Sequence, residues 1–195
     1  MSTAFLPILE AAVLVVAAPL CGVALATRRF RGAAPAATLF ALALTVSAGW
    51  TMAFWDWSTA AVGGVLASHA TLAVTGLALA ALGGWFGSTL RDPLDAAAFS
   101  SGAALAAALG LFAAGPLAAD LPTEIVNAAL AASPIVSTAS AANVDLLRTD
   151  LLYRISPLAH RRFDYPAWYS AFLWYGPLLL ISIVGTARSL RKGWL

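Results

Sequence analysis

Long apolar runs separated by short polar connectors dominate the pattern of this chain. Four stretches contain no charged residue, namely 32–55, 57–90, 96–119 and 165–187. Each is longer than the roughly 20 residues that an α-helix needs to cross a bilayer. A soluble domain has no use for such runs. The pattern therefore predicts an all-α fold, a polytopic integral membrane helix bundle.

Five membrane-spanning helices in a single domain are expected from these runs and from the apolar N-terminal stretch. That stretch lacks the basic residues of a signal peptide, so we expect the first helix to be retained. Small residues such as Gly83 let helix backbones approach closely in a membrane. Pro93 suits the first turn of the fourth helix, with Asp92 near its N-cap. The predicted spans cover about residues 4–26, 34–54, 60–86, 96–119 and 166–186.

A more polar segment, 122–158, lies between the fourth and the last predicted span. Its first part, 125–142, carries an asparagine and several hydroxyl side chains, which is typical of a re-entrant or interior helix rather than a lipid-facing span. From Val144 to Leu158, apolar residues recur at steps of three and four. Such a narrow stripe predicts an amphipathic helix lying in the membrane interface.

The distribution of basic residues predicts the orientation, because lysine and arginine concentrate in cytoplasmic loops. Five spans with the N-terminus outside place seven of these residues inside: Arg28, Arg29, Arg31, Arg91, Arg188, Arg191 and Lys192. A full sixth span at 125–142 would move the terminal cluster outside, so five spans fit better. The alanine-rich composition is typical of a bacterial protein. We expect an inner-membrane protein whose C-terminus is cytoplasmic.

Composition excludes several classes of function. Apolar residues make up 61% of the chain and charged residues 10%, and the net charge is +2. No basic face with interleaved aromatic residues is present, so nucleic acid is not an expected partner. The single cysteine, Cys21, excludes an internal disulfide. The sequence contains no phosphate loop, HExxH or GxSxG motif, and two scattered histidines do not suggest a metal site. We expect neither an enzyme working alone nor a required cofactor.

Two ionisable side chains lie inside predicted spans. Glu10 is either close to the interface and hydrated, or directed into the protein towards a partner. His69 can ligate a haem or a chlorophyll through an imidazole nitrogen, or it can hydrogen-bond across a helix interface. A single histidine with no second one at helical spacing favours the hydrogen bond.

The order of features in the last third resembles the end of ABC-2 type transporter permeases. A Ser133–Pro134 step is followed by the amphipathic helix, the motif YPAW at 165–168, one final span and a basic tail. In that family an Asn-Pro or Ser-Pro step precedes an outward-facing re-entrant region and the last span. The connector Asp92-Pro93-Leu94 is also similar to the polar-Pro-Leu connector of the family.

The resemblance implies the membrane half of an exporter. Such a half pairs with a second copy or another membrane subunit, and a separate cytoplasmic ATPase chain supplies the energy. The resemblance also implies that the polar helix lines the substrate path. The residues in question are Asn127, Ser133, Ser137 and Thr138.

A non-catalytic subunit of a respiratory, photosynthetic or secretion complex is the alternative, with a haem or pigment on His69 as a further variant. The excess of small residues and the lack of a self-sufficient site favour it. The charged segment before the last span would then lie at the interface and dock a partner. Its candidate residues are Asp145, Arg148, Asp150, Arg154, Arg161 and Arg162.

Overall fold

Every regular element in the described part of the chain is a helix. The computed structural model describes residues 6–27, 59–113, 120–146 and 164–192. The predicted all-α fold is therefore confirmed for these residues. The helices are α1 (Leu6–Ala26), α2 (Thr59–Thr89), α3 (Pro93–Ala113), α4 (Thr123–Ala132), α5 (Pro134–Ala141) and α6 (Ser170–Lys192).

Four helices, α1, α2, α3 and α6, are long and apolar enough to cross a membrane. They correspond to four of the five predicted spans. The remaining one, 34–54, lies outside the described residues, as does the end of the fourth, 114–119. The described residues therefore form a helical bundle whose long apolar helices are those of a membrane protein.

One helix start confirms the sequence prediction and another differs from it. α3 begins at Pro93, as predicted, ahead of the uncharged run 96–119, and Oδ1 of Asp92 accepts the Leu94 N–H at 2.8 Å and caps the first turn. α6 begins at Ser170 rather than at residue 166. The carbonyls of Pro166 and Trp168 accept hydrogen bonds from other segments, so 164–169 forms a non-helical connector.

α1 and α2 run in the same direction. Gly76 of α2 faces Leu14 of α1, and Gly83 further along α2 faces Pro19 further along α1.

The backbones of α1 and α2 are in direct contact. A Cβ atom added to Gly22 would lie 1.9 Å from the carbonyl oxygen of Ala80, and one added to Gly83 would lie 2.1 Å from that of Pro19. Only glycine allows this approach. It confirms the expectation that small residues in the third predicted span serve helix packing. Buried Leu14 and Leu79 are part of the core formed around this contact.

α6 also runs parallel to α2, whereas α3 runs in the opposite direction. The Thr71 hydroxyl donates to the carbonyl of Trp168 just before α6, at 3.4 Å, and Gly185 near the other end of α6 faces Trp85. α3 starts beside the end of α1, where Leu94 and Leu20 line the same cavity.

Three of the described helices, α1, α2 and α6, therefore finish at one end of the bundle, which we call the basic end. α1 finishes there just before the three arginines at 28, 29 and 31 in the sequence, and Arg91 follows α2. Arg188 and Arg191 belong to the last turns of α6. The other end of the bundle, which we call the opposite end, holds the connector 164–169.

Candidate functional site

The helical path breaks at Ser133, between α4 and α5. Ser133 has an extended backbone (φ −76°, ψ 119°), as expected for a residue that precedes proline. Its hydroxyl oxygen accepts the Val136 N–H at 3.4 Å, which caps α5, and its hydroxyl donates to the carbonyl of Ala108 in α3 at 3.0 Å. The Ser-Pro step thus ends one helix, starts the next and fixes the break against α3.

α4 and α5 enter and leave the bundle at the same end. In the middle of α4, Oδ1 of Asn127 accepts the Asp164 N–H at 3.3 Å. Near the end of α5, the Ser140 hydroxyl donates to the carbonyl of Pro166 at 2.6 Å. Both partners belong to the connector at the opposite end, while the break at Ser133 lies deeper. We call α4 and α5 together the re-entrant pair.

A tyrosine of α6 hydrogen-bonds to the C-terminal, inner end of α4. The Tyr175 hydroxyl donates to the carbonyl of Ala132 at 2.5 Å, and Tyr175 is only 3% exposed. Ala132 is the last residue of α4, so its carbonyl has no continuing helical turn to bond with. Tyr175 therefore supplies a hydrogen bond that the break would otherwise leave unmade.

Tyr175→Phe is expected to destabilise the protein by about 1–3 kcal/mol, because it leaves a buried carbonyl without a donor. A lower thermal unfolding midpoint of the purified chain in mild detergent would report the loss. Tyr169→Phe is the matched control, because Tyr169 is 56% exposed. Equal midpoints for the two variants would contradict a role for Tyr175 in holding the break.

The four residues predicted to line a substrate path all belong to the re-entrant pair or its break. Asn127 and Ser133 bond to backbone groups as described above, and the Ser137 hydroxyl donates to the carbonyl of Ala131 at 2.9 Å. Their polar groups hold the shape of the pair. Thr138 is fully buried, and its hydroxyl has no hydrogen-bond partner among the described residues. A substrate-path role for the four residues stays a prediction.

A cleft of about 800 Å³ lies at the opposite end, between α2 and the outer end of the re-entrant pair. Gly64, Ser140, Asn143, Tyr165 and Trp168 are among its lining residues. Asn143 has a φ of 57°, a left-handed conformation that asparagine tolerates better than most residues. The absence of a side chain at Gly64 leaves room for it, because a Cβ there would lie 3.1 Å from its Nδ2.

Only one of the residues predicted to dock a partner is described. Asp145 is exposed beside the cleft, and its carboxylate accepts a hydrogen bond from the Tyr165 hydroxyl. Arg148, Asp150, Arg154, Arg161 and Arg162 lie outside the described residues. So does most of the predicted amphipathic helix; its first residues, 144–146, are not α-helical.

Glu10 and His69 face each other across the contact between α1 and α2. Nε2 of His69 lies 3.6 Å from Oε2 of Glu10, and Nδ1 lies 2.8 Å from the carbonyl oxygen of Val65. Of the two alternatives for Glu10, the structure has the one in which the carboxylate is directed inwards towards a partner. Both nitrogens of His69 face protein groups, which favours the hydrogen-bonding role, and ligation of a haem or pigment remains an untested prediction.

The sequence reasoning missed this pairing, although it had identified both residues. The sequence feature that could have indicated the pairing is the presence of one ionisable side chain in each of two predicted spans that are rich in small residues. Among the described residues, no group of three or more histidine, cysteine or acidic side chains is placed to hold a metal ion.

No family model matches this chain, and neither a curated protein nor a solved structure is significantly similar to it. The fold alone therefore defines its class, a helical membrane bundle that carries a broken pair of short helices before its last long helix.

Proposed function

We propose that this chain is the membrane subunit of an ABC-2-like transporter that works with a separate ATPase chain. The observation that carries the proposal is the re-entrant pair that precedes α6 among the described helices, anchored at the end opposite the basic residues. In the family that the sequence resembles, an outward-facing re-entrant region stands at this place. A second copy of the chain, or another membrane subunit, completes the transporter.

The proposal includes an orientation in a bacterial inner membrane. Arg91, Arg188 and Arg191 lie at the basic end, and basic residues favour the cytoplasmic side. The N-terminus and the re-entrant pair then face outwards, and the ATPase docks on the basic end. The cleft at the opposite end becomes the outer mouth of the substrate path.

Within this proposal, Thr138 is the re-entrant residue best suited to contact a substrate. Its hydroxyl is buried and has no partner among the described residues, whereas Ser133 and Ser137 bond to backbone carbonyls. A buried hydroxyl without a partner is costly, and a polar substrate passing along α5 would offer it one.

Purification of the tagged chain from its native host in mild detergent is the first test. We expect an ATP-binding chain to copurify in a fixed ratio, and the reconstituted complex to hydrolyse ATP faster than the ATPase chain alone. A large assembly of redox or pigment subunits without an ATP-binding chain would overturn the proposal and favour the accessory-subunit alternative.

Thr138→Val tests the assigned path once the complex is in hand. It removes the hydroxyl but keeps the side-chain volume, and we expect the stimulation of ATP hydrolysis by transported substrate to need about tenfold more substrate, equivalent to about 1.4 kcal/mol of binding. Ser101→Ala in α3 is the control, because its buried hydroxyl also has no partner among the described residues. Equal effects of both variants would remove Thr138 from the path.

A further inference from the structure

The contact between Glu10 and His69 is buried within the bundle. Their side chains are 10% and 17% exposed, and both carboxylate oxygens and Nε2 are buried without a hydrogen-bond partner among the described residues. The separation of 3.6 Å between Oε2 and Nε2 is slightly longer than a hydrogen bond, so a small movement of α1 against α2 would form one.

The hydrogen on Nδ1 of His69 is fixed by its surroundings. The Val65 carbonyl oxygen, 2.8 Å away, can only accept a hydrogen bond. The Ser68 hydroxyl donates to the same carbonyl at 2.9 Å, so it does not supply a hydrogen to Nδ1. Nδ1 therefore carries its own hydrogen. The protonation state of the Glu10–His69 pair therefore depends on whether a second hydrogen lies between Nε2 and the Glu10 carboxyl group.

The net charge of the buried pair differs between its protonation states, and this decides which state is favoured. Without a proton between them, an ionised carboxylate faces a bare nitrogen, and the site carries one negative charge. With one proton, the site is neutral overall, as a carboxylic acid facing a neutral imidazole or as an ion pair. With two, it carries one positive charge. Burying an uncompensated charge is far more costly than burying a neutral pair, so one proton is favoured.

We propose that Glu10 and His69 form a proton-binding site, which holds a single proton between α1 and α2 and makes the packing of these helices depend on pH. The proposal stands independently of the proposed transport function. Loss of the proton leaves two acceptors facing each other and drives the helices apart at this contact.

Among the described residues, other titratable groups lie at a distance or are otherwise engaged. Glu10 and His69 are the only charged or histidine side chains described in α1 and α2, and α5 has none. Cys21 lies eleven residues beyond Glu10, roughly 16 Å along α1. Tyr175 donates to Ala132. The remaining groups belong to the two ends of the bundle: Arg91, Asp92, Asp95, Arg188, Arg191 and Lys192 at the basic end, and Asp120, Glu124, Asp145, Asp164, Tyr165 and exposed Tyr169 at the opposite end.

The sign of the expected pH dependence follows from the proton count. In the unfolded chain, a glutamate loses its proton near pH 4.3 and a histidine near pH 6.5, as general reference values. Above about pH 6.5 the unfolded chain holds no proton on these two groups, while the folded site holds one. The site therefore contributes its full stabilisation of the folded state between about pH 4.3 and 6.5. Above that range, the ratio of folded to unfolded protein falls by up to tenfold per pH unit.

Nitrogen NMR of the full chain, purified in mild detergent with ¹⁵N-labelled histidine, tests the proposal directly. His69→Gln assigns the signal. We expect a hydrogen on Nδ1 throughout, and a response of Nε2 to pH that differs from that of a free imidazole. In Glu10→Gln this difference should disappear. A bare Nδ1, or a wild-type signal that titrates as a free imidazole does, would overturn the proposal.

The thermal unfolding midpoint measured from pH 5 to 9 is the second readout. We expect the wild-type midpoint to fall above about pH 6.5 and the Glu10→Gln profile to be flatter. Thr75→Val is the control, because it removes another buried hydroxyl of α2 without a partner among the described residues and should leave the shape of the profile unchanged. Parallel wild-type and Glu10→Gln profiles would contradict the site; if Glu10→Gln does not fold, the wild-type NMR titration decides.

Discussion

Gly83→Leu is expected to prevent α1 from packing on α2 and to leave little folded protein in the membrane. Even a single Cβ at this position would lie 2.1 Å from the Pro19 carbonyl oxygen, and backbone cannot move aside as a side chain can. We expect a cost above about 3 kcal/mol, the upper end of the range for overpacking a core. The measurement is the amount of chain that remains monodisperse in mild detergent, together with its thermal unfolding midpoint.

Gly102→Leu is the matched control for this prediction. It places the same side chain in a helix that can also cross a membrane, but a Cβ at Gly102 meets no atom within 4 Å. The control should behave as the wild type does. If both variants were equally stable, the close contact between α1 and α2 would be refuted.

Site-specific labelling from outside is expected to give an all-or-none result for the two ends of the bundle. In a Cys21→Ser background, a membrane-impermeant maleimide should label Asp164→Cys in spheroplasts, because exposed Asp164 lies at the proposed outer end. Thr89→Cys, exposed at the basic end, should react only after the membrane is permeabilised. The physical reason is that basic residues favour the cytoplasmic side.

The reverse labelling pattern would contradict the orientation. It would also turn the re-entrant pair towards the cytoplasm and remove the main support for the ABC-2-like proposal. Labelling of both positions in intact spheroplasts would show that the ends do not lie on opposite sides of a membrane, which would contradict the assignment of α2 and α6 as spanning helices.

The sequence was a good guide to helices, because their formation in a membrane depends on local composition. Uncharged runs predicted α2, α3 and α6, the apolar N-terminal stretch predicted α1, and Asp92 with Pro93 predicted the start of α3. The start of α6 could not be predicted. Residues 166–169 are apolar and aromatic enough to continue a helix, and only partners far away in the sequence hold their carbonyls outside it.

The candidate sites were harder to predict, because they depend on how helices are rotated and which groups they meet. The sequence did not predict that the hydroxyls of Ser133 and Ser137 donate to backbone carbonyls, and a substrate-path role for both residues stays a prediction. Glu10 and His69 were each recognised as unusual. Their contact follows from the parallel course of α1 and α2, which no local pattern encodes.

The parallel course of α1 and α2 also constrains the order in which the protein is assembled during synthesis. α1 leaves the ribosome before α2, and the contact of Gly22 with α2 cannot form until Ala80 and its neighbours have been made and inserted. Until then Glu10 is in the nascent chain without His69. α6, which packs against α2 at Trp85, is made last of the described helices. The packing of the described helices is therefore completed only at the end of synthesis. A chain interrupted before α6 would expose the face of α2 that α6 normally covers.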